Sequence, residues 1–513
     1  MSNKHLLICF ATATGLLAYK YYKDKHGDEL SLPPSPRSYP LIGHLLSLPN
    51  KFEHLGFMQI GEQLGSKLFS LTVFGTTIVV LNDRNDAVNL FDKRSAMYSD
   101  RTCSPMVQDP SLFDWADFGG IIGYGDRWRR FRRLMNPLLT KQAASTHHES
   151  QVQATRILVQ RLLKGYKDTE SSHKLEAEFV LSISATMFRS LYGYEVKSSS
   201  DPFATRAQKI VAHLSYSLQS SNYAVNTIPA LRHLPDWLPG TGWKQEATKW
   251  RKEKDLLINE MYDIALENMK KDSSTHIIVA NLRSQALKLG LTEKEADEDV
   301  KQVAITLVSA SIETTVNTLL MFFLAMVLYP EVQKKAQQEL DAVVGNDRLP
   351  AFEDRIQLDY IERIIQETLR WRPVAPFAIP HTCYRDDTYK GYHIPKGAIL
   401  FGNVWAMTRD KTVYKDPETF DPDRFLDPST PPSPVFGWGR RRCPGIHFAQ
   451  SALFITIATI LMTFNIGAAQ DENGNEITPT GKLINSFVLT PEEYKFKITP
   501  RSTKRKELIR NNS

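Results

Sequence analysis

Apolar positions along this 513-residue chain fall into a few strongly patterned stretches separated by breaks rich in proline and glycine. The longest runs from Thr292, which starts a capping box with Glu295, to Tyr329, where Pro330 ends it. It predicts one helix of roughly 57 Å, long enough to cross a whole domain. Its middle breaks the apolar pattern with Ser309, Ser311, Glu313, Thr314, Thr315 and Asn317, which disfavours a lipid-facing span. A threonine can bond back to the carbonyl one turn earlier and bend a helix, so the cluster reads either as a structural kink or as a polar pocket. KLFSLTVFGTTIVVL, from Lys67 to Leu81, predicts a β-hairpin around Gly75. DRWRRFRRLMNPLL, Asp126 to Leu139, predicts a basic helix with Trp128 and Arg132 on one face and Arg129, Arg130 and Arg133 on the others. A second apolar helix is predicted from about Ile446 through Leu461, with Pro444 suited to its first position. A β-rich portion follows, with Phe487 and Val488 on a turn.

Between these elements lie less regular segments. Leu6 to Tyr22 is apolar and as a helix spans roughly 26 Å, close to a thin bilayer. Lys20, Lys23 and Lys25 outnumber Lys4, which leaves the rest of the chain on the cytosolic side. A cleaved signal peptide is the rival reading, although no convincing cleavage site follows Tyr22. The prolines of Leu32 to His44 stiffen the chain into a hinge. The loop Arg101 to Gly125 carries Phe113, Trp115, Phe118, Ile121, Ile122 and Tyr124, which either pack on the core or line a pocket. Tryptophans in IPALRHLPDWLPGTGW, within Pro202 to Trp243, fit either a shallow membrane contact or core packing.

Composition narrows the class without choosing the chemistry. A 42% hydrophobic content supports a large core, and no repeat or long linker divides the chain. The expected division is 1–30 as anchor and polar linker, 31–500 as one large domain, and 501–513 as a basic disordered tail. A net charge of +6 suits a basic face for an acidic partner or a membrane rather than nucleic acid. Four cysteines lie far apart, without zinc spacing or C-x-x-C-H, and fit a reducing compartment.

The candidate chemistry centres on FGWGRRRCPG, Phe436 to Gly445. Gly439 can take φ > 0 in a tight turn, Gly445 lets the following helix begin close to a flat ring, and the positive end of that helix points at Cys443. Arg441 stands where a cation could meet a carboxylate. Taken alone, Cys443 also fits a buried free cysteine. Upstream, ETLRWRP puts Glu367 and Arg370 three apart on a helix, FDPDRF supplies Arg424, and PFAIPH ends in His381.

Taken whole, FGWGRRRCPG resembles the haem-binding signature of the cytochromes P-450, with Phe436, Gly439, Arg441, Cys443 and Gly445 in the family's positions. ASIETT, Ala310 to Thr315, resembles the family's oxygen-activation motif, except that Ser311 stands where glycine is usual. The resemblance covers roughly Pro33 to Pro500. It implies a mainly α fold with smaller β-sheets, one catalytic domain behind an N-terminal anchor in the endoplasmic reticulum membrane, and a cytosolic active site. It implies haem b with the Cys443 thiolate as axial metal ligand, whose electron donation favours O–O cleavage. Trp128, Arg132, His381 and Arg441 would hold the haem propionates, while Glu313 and Thr314 would deliver protons. Glu367, Arg370 and Arg424 would form a structural lock on the loop that presents Cys443, and Val374, Ala375, Phe377 and Ala378 would face substrate.

The implied reaction is monooxygenation of an apolar small molecule, fed by NADPH through a cytochrome P-450 reductase carrying FAD and FMN. Cytochrome b5 is an allowed second partner, and spare arginines of the Asp126–Leu139 helix would form the docking face. Phrasing near Pro229–Gly240 and His381 resembles fungal secondary-metabolism members, pointing to a terpenoid, an aromatic polyketide or an indole. The alternatives are a haem-thiolate isomerase or dehydratase that does not use dioxygen, and a non-enzymatic haem-binding sensor.

Overall fold

In the computed structural model, which describes residues 30–165, 169–198, 200–271 and 277–511, the alternation at Lys67–Leu81 closes into a hairpin. β1 (Leu68–Val73) pairs antiparallel with β2 (Thr76–Leu81), and the turn places Phe74 and Gly75 at φ +48° and +82°. Two consecutive positive φ values match the right-handed twist of the strands. β3 (His381–Thr382) and β4 (Ile399–Gly402) complete a four-stranded sheet in which β4 runs parallel to β2 and antiparallel to β3. Phe69, Leu71 and Val80 pack on Phe57 of α1 (Glu53–Gln63). Phe377 joins this cluster, with ring neighbours Phe57, Phe401 and His54. The apolar stretch Leu6–Tyr22 lies outside the described residues.

Helices make up most of the rest. α2 (Asp126–Leu139) spans the basic stretch with the bounds its sequence implied, burying Trp128, Phe131, Leu134 and Met135 and turning Arg129 and Arg133 to solvent. α3 (Ser172–Tyr192) and α4 (Pro202–Leu218) pack against the long central helix, α5 (Glu293–Leu328). The capping box at its start is present: the Glu295 amide donates to Thr292 Oγ1 at 3.3 Å and the Thr292 amide to Glu295 Oε2 at 2.9 Å. Residues 315–327 are buried without a gap, so α5 is a core helix. α6 (Asp359–Trp371) and α7 (Ile446–Thr463) pack against each other and against α5.

The loop 101–125 settles on the core: Phe113, Trp115, Phe118, Ile121 and Ile122 are buried, and the Gly119 amide donates to Thr306 Oγ1 of α5 at 2.9 Å. Trp237 goes the other way and is 80% exposed, so core packing does not explain it. After α7, β5 (Phe464–Gln470) leads to the short pair β6 (Leu483–Ile484) and β7 (Thr490–Pro491), then to β8 (Lys495–Pro500), which pairs with β5. Phe487 and Val488 sit on the turn between β6 and β7, where the Leu489 amide donates to the Val374 carbonyl at 2.7 Å.

One sequence expectation fails at the C-terminus. The tail expected to be disordered forms a helix, α8 (Thr503–Asn511), with Arg505 and Ile509 buried. Arg501 and Arg505 both reach the Asp341 carboxylate, and one turn of buried isoleucine fixes what charge count alone reads as solvated.

Candidate active site

The loop carrying Cys443 is held by its backbone. Gly439 has φ +51°, and a Cβ there would lie 2.1 Å from the Phe91 carbonyl oxygen, so only glycine fits. Its amide donates to the Asp92 carboxylate. The Cys443 amide donates to the Phe436 carbonyl at 2.8 Å, which closes the loop. The Gly445 amide is turned to the Cys443 sulfur and lowers the thiol pKa, while burial, the larger effect, raises it. The positive charges of Arg132 and Arg442 oppose the burial. Gly445 is the N-cap of α7 and Ile446 its first residue, so Pro444 lies before the helix rather than at its first position. The chain is still turning at Pro444 and Gly445, which delays the helix start.

Around this loop sits a set of cations. Arg441 donates from Nε to the Ser99 carbonyl and from Nη2 to the Ile122 carbonyl, each at 2.7 Å, and its Nη1 is buried without a partner. Trp128 Nε1 is likewise buried and unpartnered. Arg132 lies over the Trp128 ring at 5.5 Å and donates to the Arg442 carbonyl at 2.8 Å. Arg101 donates to the carbonyls of Ile379 and Pro380, and its Nε is also orphaned. Burial holds all three guanidiniums below their usual pKa, and repulsion from neighbouring arginines adds to it at Arg101 and at Arg441, which falls to about 9. His381 stacks on Phe91 with centroids 4.0 Å apart, points Nδ1 at the Tyr98 carbonyl at 2.5 Å, and is driven well below the usual histidine range by burial and by Arg101 and Arg441.

Every hydrogen bond named for these three arginines goes to a backbone carbonyl, so the charges are pre-positioned rather than neutralised. Two buried arginines and a buried indole with orphaned N–H groups beside a cysteine are a costly arrangement unless an anion completes them. The donor set fits a group with two carboxylates and a thiolate-seeking metal, which describes haem.

The middle of α5 presents the second half of the site. Ala310 is exposed in the heart of a buried helix, and Ser311, Glu313 and Thr314 are half-buried beside it. Thr314 Oγ1 donates to the Ala310 carbonyl at 2.7 Å, and Ser311 Oγ to the Val308 carbonyl at 2.9 Å, so the extra serine hydroxyl is tied back into its own helix. Glu313 accepts a short hydrogen bond from Ser215 Oγ of α4. Burial pushes its carboxyl up to about 7, against the lowering effect of Ser215.

Glu367 and Arg370 are both 0% exposed and meet in a bidentate pair with two 2.7 Å bonds. Arg424 Nε adds bonds of 3.0 and 3.1 Å to the same carboxylate. The two arginines go on to bind the carbonyls of Thr408, Lys415, Pro417 and Thr419. The lock thus staples segment 408–424, upstream of the cysteine loop, instead of gripping that loop directly.

The family model described as cytochrome P450 matches residues 33–498. The chain belongs to the cytochrome P450 family. A cytochrome P450 monooxygenase of Armillaria gallica is 36% identical over 487 residues, 94% of each chain. The monooxygenase claR of Ampulloclitocybe clavipes is 36% identical over 488 residues, 94% of this chain and 88% of its own. The monooxygenase ple1 of Rhodocybe pseudopiperita is 35% identical over 498 residues, 95% and 92%. This cytochrome P450 is a haem-thiolate monooxygenase, an oxidoreductase that works on a small molecule with a redox partner.

Two residues of the P450 site escaped sequence reasoning. Arg101 heads a mostly apolar loop, and its only signal was a charge at the edge of a stretch that otherwise packs inward. Ser215 gives no local signal, since its contact with Glu313 bridges 98 positions. Among the arginines expected to dock a reductase, Arg130 turns inward to Asp299, which is buried and also binds Arg127.

Proposed function

We propose that this cytochrome P450 takes electrons from NADPH through a separate reductase carrying FAD and FMN, and inserts one oxygen atom into a C–H or double bond of an apolar small molecule. When bound to the Cys443 thiolate, haem b supplies the reduction of dioxygen, one atom going to substrate and the other, with two protons, to water. Trp128 Nε1, Arg441 Nη1, Arg101 Nε, Arg132 and His381 hold its propionates in this reading. Glu367, Arg370 and Arg424 keep the framework rigid and touch no reactant.

The observation that carries the proposal is the Glu313–Thr314 pair, polar and only half-buried in the core-packed part of α5. A carboxyl near pKa 7 can both hold and release a proton at neutral pH. Thr314 Oγ1 spends its hydrogen on the Ala310 carbonyl, which leaves its lone pairs to accept from a proton-bearing water. An isomerase or dehydratase needs no such pair.

Fungal relatives favour a terpenoid, aromatic polyketide or indole intermediate of secondary metabolism. The apolar Leu6–Tyr22 stretch favours anchorage in the endoplasmic reticulum membrane, with exposed Arg129 and Arg133 on the cytosolic side to meet the reductase and cytochrome b5 as a second donor. The test is turnover of a terpenoid, polyketide and indole panel with NADPH and reductase under 18O2. One heavy oxygen in the product is expected. A product without it, formed equally well in the absence of dioxygen, overturns the monooxygenase reading in favour of isomerisation or dehydration.

A further inference from the structure

Ser215 and Glu313 belong to different helices, and neither is explained by packing alone. Ser215 is buried on the inner face of α4, and its hydroxyl donates to Glu313 Oε2. One turn later on the same chain, Gln219 is also buried and its amide donates to Glu53 at the start of α1. Gln219 is the extended residue that directly follows the last turn of α4, so the C-terminal end of α4 is pinned at two points, one on the central helix and one on α1. The Asn226 side chain adds bonds to the carbonyls of Ser217 and Gln219, at 3.0 and 3.2 Å, which steadies the same turn.

We propose that Ser215 is a positioning residue for the proton-delivery acid: its hydroxyl fixes the Glu313 carboxylate and ties the acid's placement to the seat of α4. The inference rests on the reading of Glu313 given above. A carboxyl on a flexible stem has several rotamers, and a single directed donor selects one of them. The bond also favours the ionised form, so Ser215 moderates how tightly Glu313 keeps its proton. The charged group acting on Glu313 from α3 is Glu176, a like charge that raises its pKa. From α4 the contact is Ser215, and among the described residues no cation offsets the two. Moving α4 would therefore release the acid from its one donor and push its proton affinity up.

The experiment uses the full-length holoenzyme with Ser215→Ala, Ser215→Thr and Glu313→Gln, each checked for haem content. Infrared difference spectra over a pH series, assigned by Glu313→Gln, follow the protonated carboxyl band without turnover. Ser215→Ala should move that band to higher frequency and its midpoint upward from about 7, and Ser215→Thr should restore both. In turnover, Ser215→Ala should cut product per NADPH at least about threefold, with the difference appearing as peroxide and KM unchanged. An unmoved band with unchanged coupling, or a change in KM alone, overturns the assignment of Ser215. If Glu313→Gln itself couples normally, the reading of Glu313 falls instead. If it uncouples while Ser215→Ala is silent, only Ser215 falls.

Discussion

The Arg441 guanidinium lies 4.6 Å from the centroid of the Trp128 ring, and each side chain keeps one buried N–H unpartnered. A cation over an indole is favourable in itself, but two orphaned donors at one place ask for an acceptor. Trp128→Phe keeps an aromatic ring and removes Nε1–H together with the pyrrole half of the indole. A hydrogen bond to a charged acceptor contributes about 1.5–3 kcal/mol, so haem should leave the variant at least about tenfold faster. Arg441→Leu should be worse, because the Ser99 and Ile122 carbonyls lose their donor as well. Transfer of haem to an apoprotein scavenger, followed in the Soret region, measures this. Equal transfer rates for wild type and both variants would remove these residues from the propionate site.

Glu367 sits between two arginines with no water-accessible surface of its own. Removing the carboxylate leaves buried Arg370 without its counter-ion, a change that costs about 3–5 kcal/mol. Glu367→Ala should accordingly lower the urea midpoint strongly and yield protein poor in haem. Arg424→Leu, which spares the bidentate Glu367–Arg370 pair, should cost less. A Glu367→Ala protein of wild-type stability would show that the lock is dispensable for segment 408–424.

The raised carboxyl of Glu313 has a consequence for stability. Its folded value of about 7 stands above the ordinary 4.5, so the native state keeps a proton that the unfolded chain gives up between those two values. The contribution of this group to stability therefore falls as pH rises from about 4.5 to about 7 and is level above. Glu313→Gln, uncharged throughout, should gain on the wild type across that window. Denaturant unfolding at pH 5 and pH 8 provides the comparison: a variant advantage that is the same at both values would mean that Glu313 titrates as an ordinary exposed acid.

The contrast between what was legible and what was not follows contact distance. The capping box of Thr292 and Glu295, the break at Tyr329–Pro330 and the hairpin about Gly75 are decided within a few residues, and the sequence pattern located each. Cys443 and its glycines were legible for the same reason, since a loop that must aim one sulfur leaves its constraints in ten consecutive positions. The aromatic contacts of Phe377 were not legible, because Phe57 lies on a distant helix and Phe401 on β4. Arg101 and Ser215 act through partners 278 and 98 positions away, and no periodicity reports such pairs.

The C-terminal helix extends the same lesson and can be tested separately. Its composition is basic, and basic tails are ordinarily solvated. Here Ile509 is buried, its carbonyl accepts from Gln160 Nε2 at 3.2 Å, and Arg501 and Arg505 share Asp341. The ion pairs are partly exposed at Asp341, so they contribute little, and burial of Ile509 carries most of the effect. Ile509→Ala should cost about 2 kcal/mol or more in urea unfolding, because it removes transfer energy and leaves a cavity. Lys504→Ala, whose partner Asp347 is exposed, should cost almost nothing. Deleting residues 501–513 should cost at least as much as Ile509→Ala while leaving the Soret spectrum intact, since the described partners of Arg501, Lys504, Arg505 and Ile509 all lie away from the cysteine loop and the arginine cluster. A deletion without effect on stability would return the segment to the solvated tail that its charge pattern describes.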